Sequence, residues 1–165
     1  MQLSQWAPRV LFFTVAATAT WWADAADSGS TRAAQLDRGR YLVQIGGCND
    51  CHTPGYAPTE GKIPEAQWLT GDRLGWRGPW GTTYAPNLRM YMQNLTEAQW
   101  LKTAKSFTTR PPMPWYNVRQ MSTADLRALY AFVRHLGPAG EAAPAYVPPD
   151  KEPPQPFVQF PAPPK

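Results

Sequence analysis

Apolar residues recur at helical spacing in three stretches of this chain, and the first stretch runs from Arg32 to Ile45. Gly46-Gly47 ends the predicted helix, because glycine readily adopts the left-handed conformation that closes helices. Gly39 lies where a crossing helix could approach closely. One side of the helix is expected to face the core or a bound group, and it carries Ala34, Tyr41, Ile45 and Cys48.

The second and third predicted helices begin with side-chain caps. The segment from Thr96 to Gln99 forms a capping box, and the helix that follows ends near Phe107. Ser122 caps a stronger helix that stops at Gly137-Pro138. His135 lies opposite its apolar stripe, so we expect this histidine at the surface rather than at a metal. The stripe consists of Leu126, Leu129, Tyr130 and Val133.

Residues 53–95 show no sustained periodicity and are rich in Gly, Pro and Trp. We predict a long loop with one short helical turn around Glu65 to Leu69, so the predicted fold class is all-α. Long loops in compact domains usually have a function. The large aromatic side chains here combine apolar faces with hydrogen-bonding ends, so they are suited to enclosing a partly buried cofactor. Ordinary packing in the core is the alternative for each of them. They are Trp68, Trp76, Trp80 and Tyr84.

The two ends of the chain differ from its middle. The first residues are polar, Val10 to Trp22 is almost wholly apolar, and Ala23-Asp24-Ala25 has the small residues of a cleavage site. We therefore predict a signal peptide over residues 1–25 and a periplasmic protein; the alternative is an uncleaved anchor, which would put the chain at a membrane.

Residues 139–165 form a proline-rich tail after a single domain at residues 26–138. The tail could be a docking arm, could pack back through Phe157 and Phe160, or could be disordered. The 165 residues suit one domain, and the net charge of +4 is spread along the chain. Nucleic-acid binding would need a basic stripe, which the sequence lacks.

The two cysteines of the chain lie in Cys48-Asn49-Asp50-Cys51-His52. The spacing C-x-x-C-H is typical of covalent attachment of a c-type haem. Two thiols add to the two vinyl groups of the porphyrin, and the adjacent imidazole reaches the iron. A disulfide or a thioredoxin-like dithiol is the alternative. We predict one covalent haem c, with His52 as the proximal ligand.

A histidine-bound haem needs a second axial ligand or an open site, and a methionine thioether suits electron transfer. Met113 stands between prolines, whose fixed backbone can hold a thioether at the iron. We therefore expect Met113 to be the distal ligand, with Met121 second. Met90 and Met92 are the other candidates, and filling gaps in the core is the alternative for all four.

Three pieces of the chain, within residues 36–137, resemble the class I-like monohaem c-type cytochromes of bacteria. They are also similar to single-haem domains of the cytochrome subunits that serve periplasmic alcohol and sugar-acid dehydrogenases. The pieces are Gly39-Arg40-Tyr41-Leu42 before the haem motif, Gly81-Thr82-Thr83-Tyr84-Ala85-Pro86-Asn87, and Pro112-Met113-Pro114-Trp115 before Asp125-Leu126-Arg127-Ala128-Leu129-Tyr130.

The resemblance implies a small cytochrome c fold whose first and last helices cross around one haem. It implies contacts of Gly39 and Tyr41 with Leu129 and Tyr130 at that crossing. It also implies that the methionine of Pro112-Met113-Pro114 is the distal ligand. The haem pocket is then lined near Tyr84 and Asn87, and we expect Trp80 to contact the cofactor as well.

The expected function is electron transfer between periplasmic redox proteins, such as a dehydrogenase or a terminal oxidase, and not enzymatic conversion of a substrate. The dehydrogenase subunits carry several haem motifs and this chain carries one, which favours a small soluble carrier. The alternatives are a haem enzyme or a gas or redox sensor with an open or displaceable sixth ligand, and a haem-free dithiol protein.

Overall fold

The computed structural model describes the backbone of residues 20–162 and the side chains from residue 31 onward. The chain divides into two compact units, residues 1–32 and residues 33–165. The predicted signal peptide over residues 1–25 lies largely outside the described residues, and so does the alternative anchor. Among the helices that are described, none has the length and apolar character needed to cross a bilayer.

Six helices and three short strands follow one another along the described chain. They are α1 (Thr20–Ile45), α2 (Cys48–His52), β1 (Gly75–Gly78), β2 (Gly81–Tyr84), α3 (Leu88–Gln93), α4 (Glu97–Ser106), α5 (Trp115–Gln120), α6 (Thr123–Leu136) and β3 (Phe157–Gln159), with a 3₁₀ turn at Glu65–Gln67. The predicted caps are confirmed, because Thr96 and Gln99 form the reciprocal capping box of α4 and Ser122 accepts from the backbone of Asp125. The helices α2, α3 and α5 were not predicted.

The all-α prediction is wrong, because the chain forms a mixed three-stranded sheet in the order β2-β1-β3. The strands β1 and β2 form an antiparallel hairpin in which Trp76 lies opposite Thr83. The strand β3 joins the other edge in parallel, with Val158 opposite Trp76. Strands of three and four residues are too short to show an alternating pattern, and β3 lies in a proline-rich segment that suggested an extended tail.

The core is built around α6. Phe132, Leu126 and Val133 are fully buried there, and α3 and α4 pack on the same helix. Trp100 of α4 donates its indole N–H to the Leu126 carbonyl at 2.9 Å. Tyr130 was predicted to be buried, but it is half-buried and donates its hydroxyl to the Leu95 carbonyl at 2.7 Å. His135 is exposed as predicted.

The helices α1 and α6 cross at Gly39, as the resemblance implied, but the atoms nearest to Gly39 belong to Ala128 and Phe132 rather than to the expected Leu129 and Tyr130. A Cβ atom at this position would overlap the Ala128 carbonyl oxygen and the Phe132 Cβ atom, so only glycine allows the approach. The predicted inner face of α1 is wrong in detail, because Leu42 and Val43 are buried instead. The crossing sets the rotation of the helix and turns three of the expected residues outward, namely Ala34, Tyr41 and Ile45.

The described part of the proline-rich tail packs back on the domain, which was one of the three alternatives. Val147 forms an antiparallel bridge with Thr82, and β3 extends the sheet. The Phe160 ring lies 6.1 Å from the Trp76 ring and 5.3 Å from the Trp80 ring, measured between centroids. The tail therefore covers the outer edge and one face of the hairpin.

Candidate functional site

The predicted site lies on the short helix α2, directly after a tight turn. Gly47 has φ +66°, a left-handed value that glycine adopts without strain, and it connects the end of α1 to Cys48. Within the next turn of helix, Cys48 and Cys51 are half-buried free thiols and His52 is buried. The sequence prediction that these three side chains belong to one site is consistent with this arrangement.

The His52 ring is held by the loop after β2. Its Nδ1 atom lies 2.8 Å from the Pro86 carbonyl oxygen, and a proton on Nδ1 makes that contact a hydrogen bond. The lone pair of Nε2 is then available to bind a metal ion or accept a proton. Burial lowers the pKa of His52, and the contact with Pro86 offsets part of this effect. The ring is therefore neutral at neutral pH, which is the form that ligates metals.

A buried network connects α2 to the segment that follows it. The Thr53 hydroxyl donates to Asn49 Oδ1 at 2.8 Å and accepts from the Leu69 amide at 2.8 Å. The Gly71 amide donates to the His52 carbonyl at 2.9 Å. Asn49 and Thr53 are each 1% exposed, so these bonds are shielded from water. The network holds the helical turn that carries His52 in one position.

Both thiols are held in their protonated form. Burial raises the pKa of Cys48 to about 11, and Asp50 adds a smaller effect in the same direction. The pKa of Cys51 is also raised, mainly by burial and then by Asp50 and Asp72. A reactive dithiol needs a lowered thiol pKa, because the thiolate is the attacking species. These two thiols therefore lack the electrostatic activation of a redox-enzyme pair.

The candidate residues on the hairpin have different surroundings. Trp80 donates its indole N–H to the Trp76 carbonyl at 3.3 Å and packs on the tail. In the part of the chain that the structure describes, Trp76 Nε1 and Tyr84 Oη are buried without a protein partner. Buried donors are rarely left unpaired, so these two atoms can donate to an acceptor group on a ligand. Trp68, by contrast, is a core residue that bonds to the Ile63 carbonyl.

Asn87 has a structural role. Its Oδ1 atom accepts from the Met90 amide at 2.9 Å and so caps α3. Its Nδ2 atom donates to the carbonyl groups of Ala139 at 2.8 Å and Glu141 at 3.1 Å, which fixes the beginning of the tail. Both ends of the amide are thus used within the protein, and its contact with a cofactor stays a prediction.

Of the four candidate methionines, Met90 and Met113 lie outside the core. Met92 is fully buried in the core, Met121 packs against it, and Met90 is 39% exposed on α3. Met113 is half-buried in the segment between α4 and α5. The Thr83 hydroxyl of β2 donates to the Pro111 carbonyl at 2.7 Å, so this segment is attached to the strand that leads to Pro86.

Arg89 supports the site and was not predicted. It is 5% exposed, and its guanidinium donates to the carbonyls of Gly137 at 2.5 Å, Ala66 at 2.7 Å and Leu136. Burial lowers its pKa. One side chain thereby joins the end of α6 to the loop after α2. A single arginine in an irregular segment gives no signal of such a role in the sequence.

The cofactor prediction needs a correction. The described side chains, from residue 31 to residue 162, include no group of three or more His, Cys, Asp or Glu residues that could hold a metal ion. Cys48 and Cys51 are free thiols. The predicted site of one covalent haem c is therefore not shown, and the structure instead has two thiols beside one buried imidazole.

Comparison with known proteins gives a distant relationship to part of a redox enzyme. The chain is 29% identical over 127 residues to one of the subunits of nicotinate dehydrogenase from Pseudomonas putida, a match that covers 71% of this chain and 10% of that protein. The chain thus spans about a tenth of the relative's length. No family model matches, and no solved structure matches. The predicted resemblance to dehydrogenase subunits is supported at that level, without its cytochrome character.

Proposed function

We propose that this chain is an electron-transfer protein of the periplasm that serves a dehydrogenase and converts no substrate itself. The observation that carries the proposal is the buried His52 ring, which the Pro86 carbonyl orients and which two free thiols flank within one helical turn. The similarity to part of a dehydrogenase supports a redox partner of that class.

In its finer form, the proposal assigns His52 and Met113 as the two protein ligands of one iron, with Cys48 and Cys51 at its edge. Such an iron would pass one electron at a time by alternating between the ferric and ferrous states. The residues contribute a neutral imidazole and a thioether, a pair that favours ferrous iron and raises the potential. Two protein ligands leave the other coordination positions to a bound group.

Two other functions are less compatible with the geometry. A dithiol oxidoreductase is disfavoured because burial raises the pKa of Cys48 to about 11, so the attacking thiolate is scarce at pH 7. A haem enzyme with an open sixth position needs a distal acid-base group. The chain has two histidines, and the second, His135, is exposed on α6.

The test begins with the full chain exported by a bacterial host. The purified protein is stained for haem on a denaturing gel, its mass is measured, and its spectrum is recorded before and after reduction. We expect a covalent mass increase that is lost in the Cys48→Ser, Cys51→Ser double variant, together with reversible one-electron reduction. Protein that shows no reversible one-electron reduction, and in which iodoacetamide alkylates both thiols, would refute electron transfer at this site.

The ligand assignment has its own comparison. We expect ferric protein to show a weak near-infrared sulfur-to-iron band that disappears in Met113→Ala and persists in Met121→Ala. Met90→Ala is the control for methionine loss, because this side chain is 39% exposed. Loss of the band in Met121→Ala alone would transfer the ligand role to Met121.

A further inference from the structure

The C-terminal tail contacts the segment that carries Met113. The Arg110 guanidinium carbon lies 3.8 Å from the centroid of the Tyr146 ring. A cation this close to an aromatic face is attracted by the ring quadrupole. Arg110 is three residues before Met113 in a segment with three prolines. A contact at Arg110 therefore restricts the same short stretch of backbone that presents the methionine.

Tyr146 is itself fixed to the hairpin. Its hydroxyl donates to the Trp80 carbonyl at 2.8 Å. The next residue, Val147, exchanges two backbone hydrogen bonds with Thr82, at 2.8 Å and 3.0 Å. Gly81 has φ +94°, and a Cβ atom there would lie 2.5 Å from the Val147 carbonyl oxygen, so glycine is what allows the tail to approach. Tyr146 is thus fixed to the Trp80 carbonyl through its hydroxyl and to β2 through the backbone of the next residue.

The hairpin also holds the methionine segment directly. Thr83 follows the residue that pairs with the tail, and its hydroxyl donates to the Pro111 carbonyl at 2.7 Å. Pro111 has no amide hydrogen, and neither has Pro112 or Pro114, so the segment cannot fix itself by a regular hydrogen-bonded ladder. Two contacts hold the segment from outside, one from β2 and one from the tail, and the Trp115 amide also donates to the Met113 carbonyl at 2.9 Å.

We infer that Tyr146 is a positioning residue for Met113, and that the tail thereby keeps the thioether on the redox centre. This inference rests on the proposed function, since it assumes that Met113 is a ligand. The clamp formed by Tyr146, Arg110 and Thr83 restricts the exchange of the thioether for an external ligand. Loss of the clamp is expected to leave the core and the His52 side of the site unchanged.

The variants separate the contributions of Tyr146. Tyr146→Ala removes both the ring over Arg110 and the hydroxyl bond to Trp80. Tyr146→Phe retains the ring and loses the hydroxyl alone, so it is the conservative variant in which the clamp should persist. Tyr91→Ala is the matched control, because Tyr91 is 40% exposed on α3 and Tyr146 is 36% exposed.

Two measurements on the full exported protein test the inference. Hydrogen exchange of the Trp115 amide, which donates to the Met113 carbonyl at 2.9 Å, does not depend on any iron ligand, and we expect Tyr146→Ala to accelerate it about tenfold. Carbon monoxide can bind the reduced iron only where the Met113 thioether has left it. We therefore expect carbon monoxide to bind about tenfold faster in Tyr146→Ala than in the wild type. The clamp is supported if Tyr146→Ala changes both measurements while Tyr146→Phe and Tyr91→Ala behave as the wild type does.

The outcomes distinguish this inference from the proposed function. If Met113→Ala opens the centre to carbon monoxide and Tyr146→Ala does not, the positioning role is overturned while the ligand assignment stands. Unchanged hydrogen exchange in Tyr146→Ala overturns the clamp whatever the ligand is. If Met113→Ala itself leaves carbon monoxide binding unchanged, the ligand assignment and the positioning role both fail.

Discussion

The Thr53 hydroxyl is the most sensitive point of the network behind His52, and Thr53→Val removes it with little change in shape. In the wild type this hydroxyl donates to Asn49 Oδ1 and accepts from the Leu69 amide, at 2.8 Å each. Valine retains the branched Cβ atom but can make neither bond. Two buried polar groups then lose their partners at a position that is 1% exposed.

The expected magnitude follows from those two groups. A buried donor or acceptor left unpaired costs about 1–3 kcal/mol. The added methyl group returns about 1 kcal/mol through burial. We therefore expect the free energy of unfolding to fall by about 3 kcal/mol. With a urea dependence of about 2 kcal/mol per molar, the unfolding midpoint should fall by about 1.5 M.

The assay is urea unfolding followed by tryptophan fluorescence, together with hydrogen exchange at the Leu69 amide. Thr109→Val is the control, because Thr109 is exposed and surface substitutions usually change stability by less than about 0.5 kcal/mol. The Leu69 amide should exchange faster in Thr53→Val alone. Equal midpoints in the two variants would show that the network contributes nothing, and our account of how α2 is fixed would then be wrong.

Three further predictions concern the helices around the site. Gly39→Ala should lower the free energy of unfolding by about 2 kcal/mol, because overpacking at the helix crossing exceeds the gain in helix propensity; a higher urea midpoint would contradict this. Arg89→Met should lower the free energy of unfolding by about 3 kcal/mol, because three carbonyl groups lose their hydrogen-bond donor. The control is Arg127→Met at an exposed ion pair, which should change the free energy of unfolding by less than about 1 kcal/mol. Thermal unfolding of both variants measures the difference. The hydrogen bond from Arg38 lowers the pKa of Asp125, so their mutual stabilisation should be present at neutral pH and be lost as pH falls through that lowered pKa. Carboxyl NMR should find that the pKa of Asp125 rises toward the ordinary aspartate value in Arg38→Gln.

Local signals in the sequence were sufficient to predict α4 and α6. The capping box at Thr96 and the cap at Ser122 act within one helical turn, so their bonds could be predicted from neighbouring residues alone. Gly39 indicated a close helix crossing, because a residue without a Cβ atom lets another helix approach. Cys48, Cys51 and His52 could be grouped by their spacing, although the helix α2 that carries them was not predicted.

The rest of the fold depends on contacts between distant parts of the chain. No local pattern predicts that Phe157–Gln159 pairs with Gly75–Gly78, since a proline-rich segment suits an exposed arm equally well. Arg89 reaches three carbonyls on two other segments, and its role appears only once those segments are assembled. The rotation of α1 is likewise set by what α6 presents to it. Tertiary packing, rather than propensity, decided each of these features.

The parallel pairing of β3 with β1 has a consequence for how the chain folds. The hairpin of β1 and β2 can close early, because its strands are neighbours in sequence, whereas β3 must wait until four helices and the connecting tail have been synthesised. Such long-range pairing slows folding, because a large loop must close before the contact forms. Until β3 arrives, the outer edge of β1 has unpaired backbone groups that another chain can bind. The hairpin is therefore the part of this protein most exposed to aggregation before folding is complete.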